Sequence, residues 1–301
     1  MALWQSEANS NLNLISWNIA GRADAWRQLL DTGADIALLQ EATAPPPAVA
    51  EKISVDGEPW RTEGTDANRP WRAAVVQLSN RVRTTWYRPL PVEQAGDADL
   101  RVSRRGTLAA AEVTGADGAS YTVVSMYGLW EKPHRSTRSG WIYADASVHR
   151  LISDLAAFVG QQGGHRVLAA GDLNILHGYG ENGSAYWAAM YATVFERMRA
   201  MGIPFVGTQA PHGRCAEPWP PELPRESANV PTYHTTRMSP AQACRQLDFV
   251  FASTDLVRVL LFARSMNPRT GGRAIIVGCA SNSGDFTPIR ALRRSGVPAG
   301  A

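Results

Sequence analysis

Lysine is almost missing from this chain. Only Lys52 and Lys132 occur, and the other 28 of its 30 basic residues are arginines. Together with abundant alanine, that bias reflects GC-rich coding as readily as selection for phosphate binding. Acidic residues number 27, so the formal net charge is only +3. Charge of that size does not by itself argue for a nucleic-acid partner. Cysteine is also sparse. Cys215, Cys244 and Cys279 are odd in number, far apart and without a CxxC spacing. They build no disulfide framework, and a reduced, cytoplasmic setting is the expectation. No apolar run is long enough to span a membrane. The first residues, MALWQSEANSN, lack the basic start and apolar stretch of a secretion signal.

What remains is a soluble, globular composition. Of 301 residues, 45% are hydrophobic and 19% charged, which suits one large α/β core. Ten tryptophans are many. Most belong in cores or interfaces, and an exposed one can stack on a base.

Periodicity divides the chain into strands and helices. Leu12–Asn18 reads as a strand, broken by Gly21, and Ala25–Asp31 as a short helix. Ala34–Gln40 is a buried strand ending at Glu41, and Pro45–Pro47 is a loop. Ala73–Leu78, Thr107–Val113 and Tyr121–Tyr127 are further strands, the last two forming a hairpin around Gly115 and Gly118. Ser139–Val159 and Ala185–Met201 have helical spacing. Arg166–Ala170 and Leu247–Ala252 are strands. Cys215–Pro231, rich in proline, is a surface loop that suits a substrate-facing role. No internal repeat or linker divides the chain. Hairpin and crossover connections mix, which predicts two sheets packed together with helices outside.

Four of these segments carry polar residues at a strand end. They are Ser-Trp-Asn18, Leu-Leu-Gln-Glu41, Gly-Asp172-Leu-Asn174 and Gln-Leu-Asp248-Phe. Strand period places Asp172 and Asn174 on one face. A carboxylate there can hold or deprotonate a water, and a carboxamide can donate to a developing oxyanion. The same residues also suit an Asx turn that simply ends the strand.

In this order, the motifs resemble the endonuclease/exonuclease/phosphatase superfamily, the group of exonuclease III and deoxyribonuclease I. The markers are Ile15-Ser16-Trp17-Asn18, Leu39-Gln40-Glu41, Gly171-Asp172-Leu173-Asn174 and Gln246-Leu247-Asp248-Phe249-Val250, with Val123-Val124-Ser125-Met126-Tyr127 as a further match. The resemblance spans about residues 12–253 of a chain read as a single domain over 1–301, with 265–301 as an atypical tail. It implies an α/β four-layer sandwich of two packed mixed β-sheets. It also implies metal-assisted cleavage of a phosphate ester. Glu41, Asn18 and Asp285 would hold Mg²⁺ or Mn²⁺, Asp172 would activate water, Asn174 would donate to a non-bridging oxygen, and Tyr127 would contact the phosphate. Asp248 would orient a histidine. The substrate is left open between nucleic acid, a small phosphoester and a lipid head group, and the oligomeric state is not addressed.

That histidine is missing. The family closes on Ser-Asp-His, whereas this chain offers Ser283-Gly284-Asp285-Phe286-Thr287-Pro288-Ile289. Phenylalanine neither donates a proton nor pairs with a carboxylate. His134, His149, His165, His177, His212 and His234 all precede Asp248, and His177 is the one that follows the Asp172 motif closely. Residues 264–301 hold only seven charged side chains, six arginines and Asp285, and no clear amphipathic pattern. Back-translated in a shifted frame, Arg269–Ile276 permits Trp-Gly-Pro-Ser-Asp-His. Two explanations therefore stand side by side: a divergent member with Phe286, or a tail replaced by a frameshift from roughly residue 265.

Overall fold

The computed structural model describes residues 12–62, 69–137, 140–160, 165–211, 213, 215–233, 242–257, 260–266 and 273–279. The strands are β1 (Leu12–Asn18), β2 (Ile36–Ala42), β3 (Ser54–Val55), β4 (Arg72–Gln77), β5 (Arg83–Trp86), β6 (Pro89–Pro91) and β7 (Leu100–Val102). They continue as β8 (Leu108–Thr114), β9 (Ser120–Tyr127), β10 (Val167–Asp172), β11 (Phe205–Gly207), β12 (Asp248–Ala252), β13 (Leu260–Met266) and β14 (Arg273–Cys279). The helices are α1 (Ala23–Leu30), α2 (Pro47–Ala50), α3 (Asp145–Leu155), α4 (Ala185–Ala200) and α5 (Thr254–Val257).

Two six-stranded sheets form, in the orders β13-β14-β1-β2-β4-β3 and β11-β12-β10-β9-β8-β5, beside a small β6-β7 pair. Both are mixed. In the first, β1 runs parallel to β2 and antiparallel to β14; in the second, β10 runs parallel to β9 and antiparallel to β12. The expected α/β sandwich of two packed sheets with helices outside is what forms.

The layering follows from strand period. Leu12 and Leu14 of β1 meet Ile36, Leu38, Val123, Leu168, Ala170, Val250 and Ala252 in the core between the sheets. The alternate residues Ile15 and Trp17 face outward onto Trp26 and Leu29 of α1. Behind the second sheet, Val124, Ala169, Phe249 and Phe251 pack on Val148 and Leu151 of α3 and Tyr191 and Val194 of α4. Burial on both faces explains why these strands read as continuous apolar runs.

Polarity changes along the inward face. In β1 it runs Leu12, Leu14, Ser16, Asn18; in β9, Tyr121, Val123, Ser125, Tyr127; in β10, Leu168, Ala170, Asp172. The inner core is therefore apolar at one end and polar at the other. Gly171 fits this close pairing because a Cβ there would overlap the Met126 carbonyl across the β9–β10 ladder.

Some expected segments shift. The helix expected over Ser139–Val159 begins at Asp145, because Tyr143 first makes a two-way backbone pair with Glu131, at 2.7 and 3.0 Å. The stretch from Phe262 onward shows no amphipathic pattern in sequence. In the structure, β13 and β14 lie in it, and β14 pairs with β1 from Leu12↔Cys279 to Asn18↔Arg273. Asp285 and Phe286 lie outside the described residues.

Candidate active site

The polar ends of the two sheets meet at Asn18. Its Nδ2 donates to Glu41 Oε1 at 3.0 Å and to Asp172 Oδ2 at 2.8 Å. A carboxamide has two N–H donors, so each carboxylate receives one. The Asn18 Oδ1 accepts from the Ala20 backbone at 3.0 Å, which orients the amide. One residue of the first sheet thus holds a carboxylate from each sheet.

Tyr127, register partner of Asp172 across β9–β10, donates its hydroxyl to Glu41 Oε1 at 2.8 Å. Asn18, Tyr127 and Asp172 are buried, while Glu41 is half-buried and forms the mouth of the site. Strand period alone would turn Glu41 to the outer face, since its neighbour Gln40 faces inward. Glu41 instead takes φ 49° beside a register shift between β2 and β4. Left-handed backbone at a non-glycine residue costs about 1–3 kcal/mol and clusters at functional sites. Here it swings the carboxylate toward Tyr127 and Asn18.

Asn174 lies just past β10, in a left-handed turn with φ 53°. Its backbone N–H donates to Asp172 Oδ1 at 3.1 Å, so the Asx turn that the sequence allows does form. Its side-chain Nδ2 donates to the Gly128 carbonyl at 2.9 Å, leaving the second amide hydrogen for a ligand. Asp248 is the register partner of Asp172 across β10–β12 and is buried. Its backbone N–H, with that of Leu247, donates to Thr232 Oγ1 at 3.1 Å.

Asn18, Glu41, Tyr127 and Asp172 are therefore one hydrogen-bonded group, with Asn174 and Asp248 on the backbone beside Asp172. His177 is elsewhere. Its ring packs on Phe195 at 4.5 Å and Phe205 at 4.9 Å, and its Nδ1 lies 3.0 Å from Asn229 Oδ1. Burial lowers its pKa, partly countered by Asn229. It is a half-buried histidine packed against the phenylalanines of the core. His134 bonds Ser136 and His149 bonds Thr193, while His212 and His234 lie outside the described residues.

Two neighbours carry little signal in the sequence. Trp71 meets Tyr127 edge-on at 5.1 Å, and the Arg69 guanidinium sits 5.4 Å from the Trp71 ring centroid. Gly128 supplies the carbonyl that holds Asn174, and its position directly after Tyr127 was the available signal.

A family model, Endonuclease/Exonuclease/phosphatase family, matches residues 15–265. The chain belongs to the endonuclease/exonuclease/phosphatase family. No curated protein matches the sequence. Solved structures similar to this family member include an AP endonuclease from Leishmania major, with 14% identity and a TM-score of 0.59, covering 91% of this chain and 89% of that one. The endonuclease domain of TRAS1, a telomere-specific non-LTR retrotransposon, matches with 13% identity and a TM-score of 0.57 over 90% and 98% of the two chains. A 3′-5′ exonuclease from Neisseria meningitidis has 16% identity and a TM-score of 0.52 over 88% and 98%. At these identities the likeness carries the fold. Among the described residues, no helix of this family member is long and apolar enough to cross a membrane.

Proposed function

We propose that this chain is a divalent-metal-dependent phosphodiesterase of the nuclease-like kind. The observation that carries the reading is the Asn18 amide, which ties Glu41 of one sheet to Asp172 of the other. Glu41 is half-buried at the rim and Asp172 is buried behind it, joined through one amide. The names of its structural neighbours, endonucleases and an exonuclease, agree with this reading.

Among the described residues, no group of three His, Cys, Asp or Glu side chains surrounds a metal position. That donor set still fits Mg²⁺ or Mn²⁺. These hard ions take one or two carboxylates, keep several waters and bind substrate phosphate. Glu41 at the mouth would hold the ion, with the Asn18 carboxamide beside it and Asp285 as a further oxygen donor. When bound, the ion neutralises phosphate charge.

The protein's own groups do the rest. Asp172, oriented through both oxygens, accepts a proton from water as the water oxygen bonds to phosphorus. The ester P–O bond breaks, and the leaving oxygen takes a proton from solvent. The second amide hydrogen of Asn174 meets the charge that builds on a non-bridging oxygen. The Tyr127 hydroxyl, donating to Glu41 Oε1, holds that carboxylate in place beside the phosphate it would contact.

Hydrolysis of bis(p-nitrophenyl) phosphate in the presence of Mg²⁺ or Mn²⁺ tests the reading. Turnover should vanish with a chelator and in Asp172→Ala. Equal background rates for both proteins would eliminate it. Phe286, in place of the family's histidine, supports a second reading: a non-catalytic ligand- or metal-binding protein on the same scaffold. Phe286→His separates the two explanations of the tail. A divergent but active member should gain activity, whereas a replaced tail should not respond, and sequencing the gene across codons 265–286 should then show Ser-Asp-His in the shifted frame.

A further inference from the structure

Among the described residues, the large hydrophobic side chains left exposed are Val92, Trp130, Trp141, Ile142 and Tyr186. Trp130, Trp141 and Ile142 lie in the segment between β9 and α3, beside the catalytic edge, and Tyr186 opens α4. Trp130 is 45% exposed, Trp141 52% and Tyr186 65%. Trp130 lies three residues after Tyr127 and two after Gly128, whose carbonyl holds Asn174. The Glu131–Tyr143 backbone pair fastens the Trp141 loop to the same segment. Two of these rings, Trp141 and Tyr186, are anchored. Trp141 packs on Trp187 at 6.0 Å, Tyr186 on Trp187 at 5.2 Å, and Trp187 stacks on the buried Tyr191 at 5.8 Å.

Charge completes the surface. Lys132, His134 and Arg135 are exposed on the loop that follows Trp130. The one acidic residue there, Glu131, is ion-paired with Arg104 and Arg150. Exposed rings interleaved with cations suit a polyanion whose bases lie open. In a duplex the base faces are already stacked, so a platform of this kind selects an unpaired strand.

We propose that Trp130, Trp141 and Tyr186, with Lys132 and Arg135, form a stacking platform for single-stranded nucleic acid leading into the catalytic edge. This rests on the phosphodiesterase reading for its orientation and narrows the substrate class. Fluorescence polarisation of a labelled oligothymidylate, with the full chain and no added metal, tests it directly. The single strand should bind more tightly than a duplex of equal length. Trp141→Ala and Trp130→Ala should each weaken binding roughly tenfold, the size of one missing base stack. Lys132→Glu with Arg135→Glu should flatten the salt dependence, by about 0.7 in the log–log slope for each phosphate that is no longer neutralised. Far-ultraviolet circular dichroism checks that each variant folds, and hydrolysis of bis(p-nitrophenyl) phosphate should not change in any of them. Equal oligonucleotide binding by wild type and both tryptophan variants overturns the platform, as does a duplex preference. So does a finding that the tryptophan variants lose only self-association. Tryptophan-dependent binding without hydrolysis keeps the platform and removes the catalytic reading. Hydrolysis without tryptophan-dependent binding does the reverse.

Discussion

Gln40 and Glu41 are neighbours in one strand, yet they serve the space between the sheets in different ways. Gln40 is fully buried and spends its Nε2 donors inside the protein, on the Leu38 carbonyl and Ser125 Oγ, both at 3.0 Å. Ser125 in turn donates to the Leu39 carbonyl at 2.7 Å. That cluster joins the two sheets and faces no ligand. Glu41 makes comparable bonds to Asn18 and Tyr127 but stands at the mouth, half-buried. Buried polar groups with satisfied donors hold a core in one arrangement. The same kind of group at the rim keeps acceptor capacity for something else. A step of one residue separates a buried tie between the sheets from a carboxylate at the rim, and the left-handed turn at Glu41 makes that step possible.

The sharpest way to break this comparison is to change each side alone. Asp172→Asn preserves shape, keeps one acceptor oxygen for the two N–H groups of Asn18 and Asn174, and removes the proposed base. Turnover should fall about 10²–10⁴-fold, the usual worth of a general base, while stability falls by no more than the about 1–3 kcal/mol of one unmet buried donor. A larger loss of stability, with turnover little changed, would show that Asp172 is a structural residue. Gln40→Ala should do the opposite. Leaving the Ser125 and Leu38 partners unmet in a buried site should cost about 1–3 kcal/mol in urea unfolding, with turnover close to that of wild type. A collapse of turnover at full stability would merge the two clusters into one.

How far the sequence revealed this depends on the residue. The bounds of β1, Leu12–Asn18, are those expected, because Gly21 and the switch from apolar to polar both mark the end. The β8–β9 hairpin was signalled by Gly115 and Gly118. The motif residues stood out because an apolar run ends at Asn18, Glu41 and Asp172 and begins after Asp248, and that is where the inward face becomes polar. Other features left no signal. Short strands such as β5 to β7 and β11 carry too few residues for a period to register. The helix expected from Ser139 starts late because a tertiary pairing claims Tyr143. The direction of Glu41 is set by a φ angle that side-chain pattern does not encode, and period 2 alone puts it on the wrong face. Period 2 likewise fails for Asn174, which sits in a turn beyond the strand.

Glu41→Gly isolates that backbone effect. Glycine accepts φ 49° freely, which should return about 1 kcal/mol, and loss of two hydrogen bonds should take back about 1–3 kcal/mol. Net stability should therefore shift by only about 1 kcal/mol in chemical unfolding, while the response of turnover to Mg²⁺ disappears. A loss as large as that of Gln40→Ala would mean that Glu41 supports the fold in the same way as its neighbour.

The smallest effect concerns the histidine that does not reach the site. His177 lies among phenylalanines, and burial holds its pKa below the ordinary 6.5. As pH falls below 6.5, the unfolded chain binds a proton that the folded chain resists. The stability this group contributes is thus present above 6.5 and is lost as pH drops toward the folded value. His177→Gln keeps a donor for Asn229 and cannot titrate. Unfolding free energy measured from about pH 6.5 to 5, above most carboxylate titration, should fall less steeply in the variant than in wild type. Parallel slopes would mean that the ring takes up protons equally in the folded and unfolded chains, so that burial among the phenylalanines does not set its charge.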